Sequence, residues 1–549
     1  MLSIQEREQQ AQQHSKEDKH YNGGTGSPHW LVMIDIAADN NLANFAIETL
    51  KQLKKVNYQN VVVVVQFAVD APGGQKIRRF VFDRTNAGPT FHPTGIDGSI
   101  AQNIADILDA PKNMTEEQAL SSFLDWTYRH GPKITEDTKR ILILWGHGPE
   151  LLFQPPSGAA QVDCCGDANE DSQGLYLTPI ELKKALKANV HYKKNDQDHR
   201  KLDIIAFDAC SMGMIEVAYE IKNYARFMVA SQEEVPDMSF PYDKLVGLLD
   251  REGDPAKICS QSVDSYVRDY QDYICDDNTG LKKVNLSAID LGRLLTPSNP
   301  PVQPESKKSA GIKDALKGLA LALCNARSEP GLPDLLVQTR TGSRDFAGGL
   351  YVDICSFCDR LKGALEAGTQ ISHGDAQDLI DACNAVCAAL REPEGCILIN
   401  RANDPAVSHG LSIYFPYLSD KDLRRIGQPL VKGGADTMGK GFTAIMNRAA
   451  SNVLLCIRRQ LIIDTEEYYE DLDLSIATCW YKFIVEVWSQ ILTDRLPDEL
   501  DLRYSAQQAS INLLKTIYSR GEPLRTIPPH VDNAFPPAGG GVKVVGAHG

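Results

Sequence analysis

The chain has 549 residues, more than one ordinary core fills, so two domains or one large domain with appendages is expected. Hydrophobic residues make up 43% and charged residues 23%, the balance of a soluble globular protein. The net charge of -15 disfavours nucleic-acid binding, which needs basic faces, and suits basic peptides or solubility alone.

The polar N-terminal stretch, residues 1–28, reads as a disordered leader with no apolar run for a signal peptide. The longest apolar run, Val61 to Val65 with its flanks, is too short to span a bilayer, so no membrane partner is expected. Thirteen cysteines, an odd number scattered along the chain, argue against a full disulfide framework. The expectation is a cytoplasmic protein with mostly free thiols.

From Trp30 short apolar runs alternate with helical stretches. WLVMIDI (30–36), VVVVVQF (61–67), RILILW (140–145), LDIIAF (202–207) and RFMVAS (226–231) are rich in Val and Ile and apolar on both faces. They read as strands of a parallel sheet covered by helices on both sides. Amphipathic segments lie between them, at 42–56, 178–190 and 214–225. The fold class is therefore α/β, a wound, mostly parallel sheet. QKIRRFVFD (75–83) reads as an added hairpin arm. This domain is expected over 29–296, and the Pro- and Ser-rich stretch that follows, TPSNPPVQPESKKSAG (296–311), supplies a linker over 297–311. A mixed, helix-rich region over 312–518 follows and can add strands to the same sheet. Its helices are expected around 312–327, 373–391, 440–460 and 475–493, and its strands near 396–400 and 410–416. The tail, 519–549, is rich in Pro and Gly and reads as flexible.

In wound α/β sheets the carboxyl ends of the strands carry the site. After the first run comes Asp39; after RILILW come His147 and Gly148; after LDIIAF come Asp208 and Cys210; after RFMVAS come Glu233 and Glu234. Neighbouring strands lie ~4.8 Å apart, so His147 and Cys210 can meet if their strands are adjacent. An imidazole can lower a thiol's pKa or protonate a leaving group. The Gly148 N–H can approach an oxyanion together with the Cys210 N–H, expected at a helix start. Asp208 cannot readily serve Cys210 as base and is better placed to line a pocket for a positive side chain. A single cysteine after a strand is commonly a buried small residue, and a single loop histidine is commonly structural. Spacing alone leaves both a catalytic dyad and two structural residues open.

The segments WLVMIDIAADNNL (30–42), ILILWGHG (141–148), IIAFDACSMGMIEVAYEIKNYARFMVASQEEVPDMSFPYDKL (204–245), LSAIDL (286–291) and GLSIYFP (410–416) resemble, in order, those of the clostripain family of cysteine peptidases. The resemblance implies a caspase-like fold, with Cys210 as nucleophile, His147 as catalytic histidine and Gly148 completing the oxyanion site. It further implies that Asp208 sits at the base of the specificity pocket, favouring Arg or Lys before the scissile bond; the strand-end carboxylates Asp39 and Glu233 are further substrate-binding candidates by position. The implied activity is an endopeptidase acting through a thioester on exposed basic residues of a protein or peptide. No cofactor is required by this resemblance, although some relatives depend on Ca2+. Secreted relatives carry an export signal that this chain lacks. Relatives are often activated by self-cleavage after a basic residue shortly beyond the histidine, yet 148–182 contains no Lys or Arg. Lys193, Lys194, Arg200 and Lys201 are the nearest processing candidates, and a zymogen restrained by processing or by an activating or inhibitory protein partner is expected.

Cys164 and Cys165 lie in an acidic loop whose Asp163, Asp167, Asn169 and Asp171 alternate as Ca2+ ligands do, without the Glu that completes an EF-hand. The plainer reading is a flexible insertion. Cys355 and Cys358 form a CxxC with Cys383 and Cys387 further on; a zinc site is one reading, and core thiols on an amphipathic helix the favoured one. The GGTG at 23–26 precedes a strand rather than following one, so it is no phosphate loop, and no GxSxG elbow occurs. Two rival functions are a non-catalytic interaction scaffold of the same fold and a thiol hydrolase acting on non-peptide amides.

Overall fold

The computed structural model describes residues 29–38, 42–56, 59–69, 76–83, 86–87, 91–92, 95–96, 117–130, 134–146, 177–188, 201–236, 239–271, 283–294, 311–346, 349–391, 395–403, 408–417 and 472–494. The expected leader, the linker up to residue 310, the tail and the helix expected at 440–460 lie outside the described residues.

The expected apolar runs form strands β1 (Trp30–Ala37), β2 (Val61–Val69) and, antiparallel to β2, β3 (Lys76–Asp83). Three two-residue strands follow: β4 (Asn86–Ala87), β5 (Phe91–His92) and β6 (Gly95–Ile96). Then come β7 (Lys139–Trp145), β8 (Leu202–Asp208), β9 (Ala225–Ala230) and β10 (Asn285–Asp290). The C-terminal half contributes β11 (Asp345–Phe346), β12 (Tyr351–Asp353), β13 (Ile397–Ala402) and β14 (Ser412–Tyr414). Nine strands make one sheet in the order β13-β10-β9-β8-β7-β1-β2-β3-β4. The five central strands, β2, β1, β7, β8 and β9, are parallel, and antiparallel strands close both sides. Every residue of β1 and β8 is buried, which is why β-branched and apolar side chains run without alternation along them.

Helices cover the two faces. One face packs α1 (Ala43–Lys54), α5 (Tyr242–Leu249) and α6 (Pro255–Asp269) on Trp30, Val32, Ile34, Ile143, Ile204 and Ala206. The other packs α2 (Glu117–His130), α3 (Pro179–Ala188) and α4 (Ile215–Ile221) on Leu31, Met33, Leu142, Ile205 and Phe207. The same core continues into α7 (Ile312–Asn325), α8 (Leu332–Gly342), α9 (Ile354–Glu366) and α10 (His373–Leu390). Local chemistry sets several starts. Thr178 and Glu181 form a reciprocal capping box on α3, and Asp254 caps α6 ahead of Pro255. Ser372 caps α10 by accepting from the Asp375 N–H.

The helix expected over 475–493 is interrupted. Asp473–Thr478 (α11) ends where Cys479 takes a left-handed φ of 61°, and the chain resumes as Trp480–Lys482 (α12), a wider π-type turn at Phe483–Trp488 and Ser489–Asp494 (α13). The break lets both indoles reach one strand end: Trp480 Nε1 donates to Tyr414 O at 2.8 Å and Trp488 Nε1 to Pro416 O at 2.9 Å. The buried Arg340 guanidinium completes this corner, donating to Phe415 O and Gly349 O at 2.6 Å each. Among the described residues no helix is long and apolar enough to cross a membrane.

Candidate active site

Strands β7 and β8 are direct parallel neighbours, with Trp145 opposite Asp208. The Gly146 N–H donates to Asp208 O at 3.3 Å, so the chain leaves β7 beside the end of β8. His147 and Gly148, which follow at once, lie outside the described residues, as do Asp39, Lys193, Lys194, Arg200 and the acidic Cys164–Cys165 loop.

Cys210 is half-buried in the turn after β8, and its sulfur accepts from the Val235 N–H at 3.3 Å. The expected position of its N–H at a helix start is corrected here: α4 begins only at Ile215. The turn in between is made by Ser211 at a left-handed φ of 55°. It is fastened to the segment after β9, because the Ser211 N–H donates to Glu233 O at 3.0 Å and the Gly213 N–H to Ser231 O at 2.7 Å. Gly213 is required by this approach. A Cβ there would lie 2.9 Å from Gln232 N and 3.0 Å from Ser231 C, both backbone atoms.

Asp208 is 3% exposed, and its Oδ2 collects three donors: the Ser239 hydroxyl, the Phe240 N–H at 3.1 Å and the Tyr242 hydroxyl at 2.8 Å. Oδ1, equally buried, has no partner among the described residues. Burial pushes the Asp208 carboxyl up to about 6, against the opposing hydrogen bonds from Ser239, Tyr242 and Phe240. Ser239 adopts a left-handed φ of 66° to reach this position, and it is held there by Trp145 Nε1 donating to its Oγ at 2.5 Å and by the Tyr270 hydroxyl donating to its carbonyl at 2.6 Å. Ser239, Tyr242, Trp145 and Tyr270 are the residues that sequence reasoning did not single out. They come from the end of β7, the turn before α5 and its first residue, and the residue after α6, and only the fold joins them.

The Glu233 carboxylate is engaged by Arg344 Nη2 from the C-terminal half, while Glu234 is exposed. Behind the turn stands a buried polar frame. Gln232 Nε2 donates to Asp353 Oδ2 at 3.2 Å, and Gln232 Oε1 accepts from the Gly410 N–H at 2.8 Å. Asp353, wholly buried, also accepts from the His409 N–H at 2.7 Å and lies 2.9 Å from its Nδ1, which raises the His409 pKa. Lys201, the one described processing candidate, is half-buried and donates to Lys222 O at 3.0 Å; burial lowers its pKa. Among the described residues no group of three or more His, Cys, Asp or Glu is arranged to hold a metal ion.

Residues 34–296 match the model of the clostripain family. That match covers 263 of the 549 residues. Clostripain of Hathewaya histolytica is 24% identical over 365 residues, covering 60% of this chain and 61% of that protein, so the chain spans about three-fifths of its relative's length. Among solved structures, a secreted C11 cysteine protease from Bacteroides thetaiotaomicron in complex with an irreversible peptide inhibitor aligns at 16% identity and a TM-score of 0.41, over 74% of this chain and 97% of that one. An inactive zymogen C11 protease from Parabacteroides distasonis aligns at 14% identity and a TM-score of 0.45, over 83% and 99%. The matched segment ends at 296, whereas the frame behind the cysteine turn draws on Arg344, Asp353, His409 and Gly410 beyond it.

Proposed function

We propose that the chain is a cysteine endopeptidase that cuts after Arg or Lys. The observation that carries this reading is the pairing, two residues apart at one strand end, of a half-buried thiol with a buried carboxylate keeping one oxygen unpartnered among the described residues. A guanidinium or ammonium supplies the missing donor and favours the ionised form of Asp208. The match of residues 34–296 to the clostripain family model supports the same reading.

In the proposed reaction the Cys210 sulfur attacks the carbonyl carbon that follows the basic side chain. The N–H groups of Gly148 and Cys210 donate hydrogen bonds to the developing oxyanion, and His147 protonates the leaving amine. Water then attacks the thioester, the acid leaves and the thiol is restored. The turn at Ser211 and its tie to Glu233 O hold the sulfur out of the sheet core, so that a substrate carbonyl can approach it.

The test is cleavage of fluorogenic peptides ending in Arg, Lys, Asp or Leu by the wild-type chain and by Cys210→Ala. Hydrolysis of the Arg or Lys peptides, lost in Cys210→Ala, is the expected outcome. Turnover of the Leu or Asp peptides alone would overturn the basic specificity, and turnover persisting in Cys210→Ala would overturn the nucleophile. If neither protein cleaves, a trace of trypsin applied first separates a latent zymogen from a scaffold.

A further inference from the structure

Two chain segments grip the Cys210 turn from opposite sides. The segment after β9 accepts from it, at Glu233 O from the Ser211 N–H and at Ser231 O from the Gly213 N–H. The first residue of β14 donates to it: the Ser412 N–H reaches Gly213 O at 2.9 Å, and the Ser412 hydroxyl reaches the same oxygen at 3.1 Å. Gly213 is thus held at both its N–H and its carbonyl. The Gln232 carboxamide joins the two grips, across 178 positions of sequence. Its Oε1 accepts from the Gly410 N–H at 2.8 Å, and its Nε2 donates to Asp353 Oδ2 at 3.2 Å. The same Asp353 oxygen accepts from the His409 N–H at 2.7 Å, so both residues that lead towards Ser412 are tied to one amide. Gly410 takes a left-handed φ of 107° to present its N–H, and a Cβ there would lie 3.0 Å from Ile397 Cδ1. The Gln232 N–H is held as well, donating to Asn285 Oδ1 at 2.9 Å, where the Ser231 hydroxyl also donates at 2.9 Å. Three residues on, the Val235 N–H donates to the Cys210 sulfur.

We propose, on the reading of Cys210 as a peptidase nucleophile, that Gln232 is a positioning residue for its sulfur: the carboxamide locks segment 231–235 against 409–412 and so fixes the turn between them. The side chain is 0% exposed and meets no substrate, so it acts through the turn alone. The position demands an amide, because one end must donate and the other accept. A carboxylate of the same shape keeps an acceptor for Gly410 but sets two carboxylates against each other at Asp353. A methionine keeps the volume and makes neither bond, which leaves the buried Gly410 N–H without its acceptor.

The test compares the full wild-type chain with Gln232→Met and Gln232→Glu, each checked for folding by circular dichroism; if one folds poorly, the other carries the test. Two quantities are read: kcat and KM on the fluorogenic Arg and Lys peptides, and the rate at which iodoacetamide alkylates Cys210, followed on its own peptide by mass spectrometry. Both variants should lose roughly 10- to 100-fold in kcat with little change in KM, the cost of a misplacement on the order of 1 Å. Both should also alkylate Cys210 about 3- to 10-fold more slowly, as expected when one hydrogen bond to the thiolate is weakened. Wild-type kcat and wild-type alkylation in a folded variant would overturn the proposal. A raised KM with kcat unchanged would overturn it too, by placing the residue in the path of the substrate. If the wild-type chain cleaves none of the peptides, it is the peptidase reading that fails. Alkylation then decides alone: slower in the variants upholds the positioning role, and unchanged overturns it.

Discussion

Arg344 donates through Nη2 to Glu233 Oε1, an ion pair whose side chains are 24% and 15% exposed and whose residues stand 111 positions apart. It links the segment that receives the Cys210 turn to the entry of β11. Removing the guanidinium leaves a mostly buried carboxylate without its cation. Arg344→Ala should therefore cost about 2 kcal/mol in urea unfolding, and it should lower kcat more than KM, because the Glu233 carbonyl positions the turn rather than the substrate. Full activity and unchanged stability in Arg344→Ala would show that this ion pair does not position the turn.

The Asp208 carboxyl, pushed up to about 6 by burial, sets a pH dependence. Below that value the group is protonated and offers a basic substrate side chain no charge; above it the carboxylate is present. KM for Arg and Lys peptides should rise as pH falls through about 6, approaching tenfold per pH unit below it. Asp208→Asn should flatten this limb while weakening Arg over Leu discrimination at neutral pH by about 10²-fold, the worth of a buried charge-assisted pair. A pH profile unchanged in Asp208→Asn would assign the limb to another group.

How much of this was legible differs from element to element. The parallel strands stood out because both faces are buried, so β1 and β8 are apolar at all but a few positions, Asp35 in β1 and Asp203 and Asp208 in β8. The start of α9 was hidden because Asp353 both ends β12 and caps the helix through Ser356 N, leaving no loop signal between them. At the site, Cys210 and Asp208 were visible as strand-end residues. The donors to Asp208 were not, since Ser239 and Tyr242 stand 31 and 34 residues away and arrive through a left-handed turn that no local pattern announces for a serine.

Gly213 offers a test of the turn itself. A methyl group there would press on the backbone of Gln232 and Ser231, which cannot rotate away as a side chain could. Gly213→Ala should destabilise the chain by about 1–3 kcal/mol through overpacking. It should also reduce kcat by loosening the tie between Gly213 N and Ser231 O. Crystals of the variant should show the 210–213 turn displaced from 231–233; an undisplaced turn with wild-type kcat would mean that the approach is not limiting.

Another buried carboxylate lies remote from the sulfur. Asp35, on β1, is 4% exposed; its Oδ1 accepts from Gln66 Nε2 at 3.0 Å, and Gln66 in turn accepts from the Arg79 Nε at 3.0 Å. Burial raises its pKa from 3.8 to about 7, against the Gln66 hydrogen bond and the Arg79 charge. Because the folded value lies above the unfolded one, this group favours folding fully only below about pH 4. The advantage is lost as pH rises through about 7, to a total on the order of 4 kcal/mol. Asp35→Asn keeps an acceptor for Gln66 and carries no charge. Its stability relative to the wild-type chain should therefore increase between pH 5 and pH 8, by roughly 1–4 kcal/mol at the upper end. Urea unfolding of both chains across that range reads the difference directly, with other titrating groups cancelling. A variant that loses ground to wild type as pH rises would show that the Asp35 carboxylate is stabilised by Arg79 rather than penalised by burial.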